Sequence, residues 1–226
     1  DATIETVRAL ADNDSRIRLY QSDRNMGPAG ARNIALEQAR GEWVSLIDAD
    51  DWWVAGRLSR MLHEAETSHA DVVLDNMLLY DHATGDVHDR TRFGGAWGGT
   101  IWLTPENIFY NDDIFNLSDR RHRYSSIGFS QPFVRREFLE RNALRYSNRY
   151  RVLEDIFFLV SMVMAGARTV VIPDAYYIYR LPASPSTGEK SPFSHTRMEL
   201  EGVERFIGDM VDTYQGVLSD LSLIHI

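Results

Sequence analysis

Apolar residues recur three and four positions apart over residues 2–12, 28–40, 55–68, 153–165 and 194–215, and each stretch predicts a helix with one buried stripe. Between them lie short runs with strand character: RIRLYQ at 16–21, EWVSLID at 42–48, DVVLDNMLLY at 71–80, QPFVRR at 131–136 and RTVVIPDAYYIYR at 168–180. Helices and strands alternate through the first half. That order predicts an α/β fold with a mixed, mostly parallel sheet flanked by helices, its binding groups gathered at the C-terminal ends of the strands. Residues 81–128 break the pattern with DHATGD, FGGAWGGT and NDDIFNLSDRRHRYSS, expected to form long surface loops around a short helix near 104–110. LPASPSTGEKSPFS, from 181 to 194, reads as a mobile segment leading into the last helix.

Composition narrows the partners. The 226 residues are 44% hydrophobic and carry a net charge of -9, so a core can be buried, and no basic face is expected to read nucleic-acid phosphates. With no cysteine, disulfide and thiolate chemistry are excluded, and the chain suits a reducing, cytoplasmic compartment. No apolar run of about 18 residues encodes a membrane span. The chain opens directly in an amphipathic helix, with Ile4, Val7 and Leu10 on one stripe and no cap before them, which leads us to expect further residues upstream. LSLIHI, at 221–226, back-translates to a sequence resembling the transposase end used in sequencing adapters, and is expected to be a non-native tail.

The chemistry concentrates where the run Trp43, Val44, Leu46, Ile47 ends in Asp48, Asp50 and Asp51. The apolar run predicts a strand covered on both faces. Three acids within four residues repel one another and suit a cleft where a divalent cation, Mg2+ or Mn2+, is held by one or two carboxylates together with substrate phosphates. A solvated Asp-rich turn capping the next helix would have the same sequence. Just upstream, Asn25, Gly27, Pro28 and Gly30 form a turn into a helix whose start presents free N–H groups, with Arg32 and Asn33 in its first turns, a plausible diphosphate cradle. Glu154 and Asp155 open another helix, where carboxylates sit well against the dipole and one acid can point into a cleft. Capping alone would also explain them.

The succession NMGPAGARNIALEQARGEWVSLIDADDWW, followed downstream by LEDIFFLVSMVMAG and YYIYRLPASPST, resembles family 2 glycosyltransferases with the GT-A fold over residues 1 to about 190. The resemblance implies a Rossmann-like GT-A domain at 1–190, lacking its first two strands, followed by a C-terminal helical segment at 191–220. It further implies that Asp48 and Asp50 bind a nucleotide-sugar through a divalent metal, that Arg32 contacts the donor, and that Asp155, beside Glu154, is the base. The implied activity is inverting, metal-dependent transfer of a hexose, most often from a UDP-sugar, to a saccharide or lipid-linked acceptor in exopolysaccharide or cell-surface polysaccharide assembly. A lipid-linked acceptor would bring the protein to the inner face of the membrane as a peripheral partner. Without its first two strands the chain is expected to be poorly active or unstable.

Other residues carry two readings each. Arg180 could neutralise the diphosphate or form a surface ion pair. Trp52 and Trp53 could wall a sugar site or simply pack, and Trp97 and Trp102 could line an acceptor site or anchor a loop. The segment after Arg180 has Leu181, Pro182 and Ala183 where many relatives carry a metal-reaching His, and the seven histidines show no ligand spacing. Two other functions fit parts of the pattern: a glycoside hydrolase using Asp50 and Asp155 as a carboxylate pair, and a non-catalytic nucleotide-sugar-binding module.

Overall fold

The computed structural model describes residues 2–82, 84–88, 100–105, 108, 131–150 and 153–180, with 205, 208, 209 and 212–214 of the last segment. In chain order the elements are α1 (Thr3–Asn13), α2 (Gly27–Gln38), β1 (Trp43–Ser45), β2 (Trp52–Trp53), α3 (Arg57–Ser68), β3 (Val72–Tyr80), β4 (Val87–His88), β5 (Ile101–Leu103), β6 (Phe133–Arg135), α4 (Arg136–Arg141), α5 (Glu154–Met164) and β7 (Thr169–Arg180). The strands form one mixed sheet in the order β1-β6-β3-β7-β2, with β4 added to β3 and β5 to β7.

The two longest strands make the centre. β3 and β7 pair in parallel from Val72↔Thr169 to Tyr80↔Arg180, and the other pairings are antiparallel. The mixed α/β sheet expected from the sequence is present, but among the described strands β3–β7 is the one parallel pairing of six, so the sheet is not mostly parallel as expected. Register shifts on either side of Asn76 leave extra β7 residues unmatched. Pro173 lies in this irregular stretch, and a proline, which has no N–H to give, is tolerated where the ladder is already broken.

β3 shows why a continuous apolar run makes a central strand. Val72 and Leu74 face a core with Val134, Val171 and the apolar side of α5, while Val73 faces the opposite side with Met61, Ala65, Phe133, Val170 and Ile172. Successive side chains point to opposite faces, so a strand with helices on both sides must be apolar at nearly every position. α3 covers one face; α2, α4 and α5 supply the other. α5 is buried almost throughout, from Ile156 to Val163.

Two sequence expectations change. Residues 17–21 are not a strand, and Ile17 and Tyr20 are exposed. A strand is held by its neighbours' hydrogen bonds, and among the described residues this segment has no ladder partner. The run at 42–48 is strand only over Trp43–Ser45, and it is half-buried rather than covered on both faces, with Ile47 48% exposed. Among the described residues β1 pairs with β6 alone, and Trp43 is covered by stacking on Phe133 at 4.8 Å. Strands β2, β4 and β5 and helix α4 were not expected as elements; the pieces are two to six residues long, too short to show a period.

The predicted helix near 104–110 is described only at Thr104, Pro105 and Ile108, and the loops at 89–99 and 109–130, the segment 181–204 and the tail 221–226 lie outside the described residues. Of the last predicted helix, Asp209 accepts a hydrogen bond from Tyr150, and Tyr214 Oη donates to Ser161 Oγ of α5 at 2.7 Å. No helix among the described residues is long and apolar enough to cross a membrane.

Candidate active site

β1, β3 and β7 run the same way, because β6, between β1 and β3, is antiparallel to both. Their C-terminal ends therefore share one edge, and the chain beyond β1 carries Asp48, Asp50 and Asp51 along it while β7 brings Tyr177 and Arg180. In α/β sheets this is the edge where ligands bind.

Arg32 sits at the junction. Its Nη2 donates to Asp48 Oδ1 at 2.7 Å and its Nη1 to Glu154 Oε1 at 2.9 Å, so one guanidinium joins the acidic loop to the start of α5. Burial works against its charge, but the carboxylates of Asp48 and Glu154 more than offset this and raise its pKa further. Its Cζ also lies 5.3 Å from the Tyr146 ring, which stacks on Phe158 of α5 at 4.0 Å. Asn33, the next residue, fixes this arrangement: its Nδ2 donates to the Tyr146 carbonyl at 2.9 Å, and its Oδ1 accepts the Tyr146 N–H at 2.8 Å.

Before α2, Asn25 Oδ1 accepts the Gly27 N–H at 2.9 Å, closing a turn that puts Gly27 at φ +70°, where a side chain would be strained. Met26, at the cap position, gives α2 no side-chain hydrogen bond and no acid stands in its first turn, so beyond the Asn25 contact its positive end is uncompensated among the described residues. A Cβ at Gly30 would stand 2.4 Å from Met26 Cβ, so this glycine permits close packing at the helix entry.

The acidic loop is held from several sides. Asp48 Oδ2 accepts Gln131 Nε2 at 2.8 Å, and the Asp48 N–H reaches Tyr177 Oη at 3.3 Å. Tyr177 Oη donates to Asp51 Oδ2 at 2.6 Å, while Asp51 Oδ1 accepts the Arg180 N–H at 2.9 Å. Burial pushes the Asp51 carboxyl up to about 6, against these hydrogen bonds and with help from its acidic neighbours. Asp50 alone of the three is exposed.

Among the described residues no three His, Cys, Asp or Glu side chains converge to hold a metal. Asp48, expected as a metal ligand, accepts one hydrogen bond on each oxygen, from Arg32 and from Gln131, which leaves a lone pair on each. The described residues by themselves do not form an all-protein metal cage. What fits is a hard cation anchored by Asp50 and completed by phosphate oxygens and water.

Asp155 follows Arg32's partner Glu154 in the first turn of α5. It is half-buried, its Oδ1 accepts the Ile156 N–H at 2.8 Å, and burial, reinforced by the Glu154 charge, raises its pKa to about 7. Burial raises Glu154 as well, although Arg32 opposes this. A carboxyl poised near neutrality can hold or release a proton at working pH.

Trp52 and Trp53 pair with Ile178 and Tyr177 across β2 and β7. Trp52 packs edge-on against Tyr80 beneath the Arg180 guanidinium, and Trp53 lies over Arg57, its indole N–H buried without an acceptor among the described residues. Trp102 pairs with Val170, at the opposite end of β7 from Ile178, roughly 25 Å away at about 3.3 Å per residue, so it does not line this edge. Trp97 lies outside the described residues.

The structure thus brings Asn33, Arg32, Asp48, Asp51, Glu154, Asp155 and Arg180 to one region. Sequence reasoning missed Arg57 and Gln131, which stand in none of the motifs quoted for the resemblance, and Tyr177, which lies within the YYIYR segment but was not singled out there.

A sequence profile described as Glycosyl transferase family 2 matches residues 1–141. The chain belongs to this family. Its curated family 2 relatives include the succinoglycan biosynthesis proteins ExoO and ExoU of Rhizobium meliloti, 33% and 30% identical over 80% and 89% of this chain. The chain spans about half the length of these relatives, 49% and 55%. Among solved structures, S. aureus TarS in complex with UDP-GlcNAc matches 84% of this chain and 49% of its own with a TM-score of 0.61 at 22% identity. A mannosyltransferase of Pyrobaculum calidifontis in complex with GDP-Man and Mn2+ matches 81% of this chain and 46% of its own at a TM-score of 0.52 and 20% identity. These likenesses show the GT-A fold for this family 2 glycosyltransferase chain.

Proposed function

We propose that this chain carries the catalytic site of an inverting, metal-dependent hexosyltransferase acting in exopolysaccharide or cell-surface polysaccharide biosynthesis. The observation that carries this is the Arg32 bridge: one side chain ties the acidic loop of Asp48–Asp51 to the helix start that presents Asp155. Donor-binding carboxylates and a titratable base are thereby held at one strand edge.

The donor diphosphate lies against the open N-terminus of α2, at the Asn25–Gly27 turn, with Arg180 on the far side of the acidic loop. A divalent cation, when bound at Asp50, supplies charge stabilisation to the departing diphosphate. Asp155 takes the proton from the acceptor hydroxyl as its oxygen bonds to the sugar's anomeric carbon. The bond from that carbon to the diphosphate breaks, and the electron pair leaves with the nucleoside diphosphate. Attack from the face opposite the leaving group inverts the centre. Glu154 keeps Arg32 and Asp155 in register and does not itself move a proton. Trp52, over whose ring Arg180 lies, offers an aromatic surface at this edge for an acceptor sugar.

The succinoglycan relatives, and an Escherichia coli relative described as a UDP-Glc:alpha-D-GlcNAc-diphosphoundecaprenol beta-1,3-glucosyltransferase that is 28% identical over 58% of this chain, favour a UDP-hexose donor and a saccharide or lipid-linked acceptor. An acceptor of the latter kind places the protein at the cytoplasmic face of a membrane. The test is incubation with UDP- and GDP-hexoses, with and without Mn2+, following nucleoside diphosphate release. Release that needs both Mn2+ and Asp155 supports the reading. No release with any donor sinks it, and Asp50-dependent donor binding without release would identify a binding module instead.

A further inference from the structure

Arg57, the first residue of α3, is 1% exposed, and its partner Asp75 on β3 is 0% exposed. Arg57 Nε and Nη2 donate to the two Asp75 oxygens at 2.9 and 2.8 Å. A buried ion pair is weak evidence of stability, since apolar residues of like volume often serve as well. What an apolar pair lacks is the remaining donors. Here Nη1 reaches Ser45 Oγ on β1 at 3.0 Å, and Nη2 also reaches the Gln131 carbonyl at 2.7 Å. The guanidinium packs against the rings of Trp53 and Tyr177, at 5.0 and 5.3 Å.

Every one of these contacts leads to the acidic loop. Ser45 stands three residues before Asp48, and Trp53 two residues after Asp51. Gln131, whose carbonyl Arg57 holds, gives its side-chain amide to Asp48. Tyr177, whose ring Arg57 backs, binds the Asp48 N–H and the Asp51 carboxylate. The rigid five-donor fork of arginine serves these directions at once; a lysine ammonium is a single point and cannot.

We propose that Arg57, locked by Asp75, is a positioning residue that sets where the acidic loop Asp48–Asp51 stands without touching the donor. The inference deepens the proposed function and rests on its assignment of this loop to donor binding. If Asp75 only neutralised Arg57, the pair could be exchanged for apolar residues at no cost to the loop.

The experiment compares wild type with Arg57→Met/Asp75→Leu and with Arg57→Lys. Amide hydrogen exchange is read on the ligand-free protein, and binding of UDP and of GDP with Mn2+ by calorimetry. Expected is exchange about tenfold faster at the amides of Asp48, Asp51 and Arg180, with Val72 to Leu74 retaining wild-type protection. Mn2+-dependent nucleotide binding should weaken about 10- to 100-fold, as when the groups orienting a metal ligand are removed. Should the double variant not fold, Arg57→Lys gives the same readout. A folded variant whose three loop amides keep wild-type protection overturns the proposal. If the loop loosens but wild type binds neither nucleotide with Mn2+, it is the donor-site reading that fails, and the control of the loop by Arg57 stands.

Discussion

Replacing Asp155 with Asn should stabilise the protein at alkaline pH while abolishing transfer. Asn keeps the size of the side chain and can still accept the Ile156 N–H, but it does not ionise. In the folded protein burial, with Glu154 adding to it, moves the Asp155 carboxyl from an ordinary 3.8 to about 7. Below pH 4 both folded and unfolded chains hold this proton. Between about pH 4 and 7 the unfolded chain has released it and the folded chain has not, so the contribution of this group to stability falls as pH rises, and above pH 7 the full cost is present. At about 1.4 kcal/mol for each tenfold change in ionisation, the cost is about 4 kcal/mol, a large part of a typical domain's 5–15 kcal/mol. Urea unfolding followed by circular dichroism at pH 4.5, 6, 7 and 8.5 measures it. The Asp155→Asn advantage over wild type should be small at pH 4.5 and reach about 2–4 kcal/mol at pH 8.5, once local relaxation is allowed for. A difference between the two proteins that stays constant across this range would refute the assignment of a raised Asp155, and with it the physical case for Asp155 as a base held near neutrality at some cost to the fold.

Three further outcomes follow from the same geometry. In steady-state assays at saturating donor, turnover should rise about tenfold from pH 6 to pH 8 as Asp155 loses its proton, and a flat profile would exclude it as the base. Arg32→Met strands the buried Glu154 beside Asp48 and should cost about 3–5 kcal/mol in urea unfolding, less at pH 5, where Glu154 can take up a proton, than at pH 8. Asp50→Asn, at an exposed site, should change stability by no more than about 0.5 kcal/mol yet remove Mn2+-dependent nucleotide binding in calorimetry; retained binding would move the cation elsewhere.

Much of the fold was legible because its signals are local. The continuous apolar run of β3 and the polar break after β7 mark a central strand and its end without reference to anything distant. The same holds for the turn at Asn25–Gly27, whose hydrogen bond spans two residues. Residues 17–21 show the limit, since β-propensity describes what suits a sheet and cannot supply the neighbouring strand that makes one. Trp43 to Ile47 shows it again: the apolar run is real, but how deeply it is buried depends on what lies across β1, and there Trp43 is covered by Phe133, 90 positions along the chain.

By itself the sequence determined which residues carry charge and where along the chain they stand: an acidic cluster after an apolar strand, a glycine-rich helix entry before it, and a pair of acids opening a far-off helix. Only the tertiary structure decided how they combine. Asp48 is engaged by Arg32 and Gln131, across 16 and 83 residues of sequence, and Asp51 by Tyr177 across 126. Arg57 reaches Gln131 across 74. Ion pairs and hydrogen bonds depend on distances of about 3 Å in space. Chain order leaves such distances open until the sheet brings strand ends together, and so the sequence offers these acids and Arg32 only as candidates, while Gln131, Tyr177 and Arg57 enter through the fold.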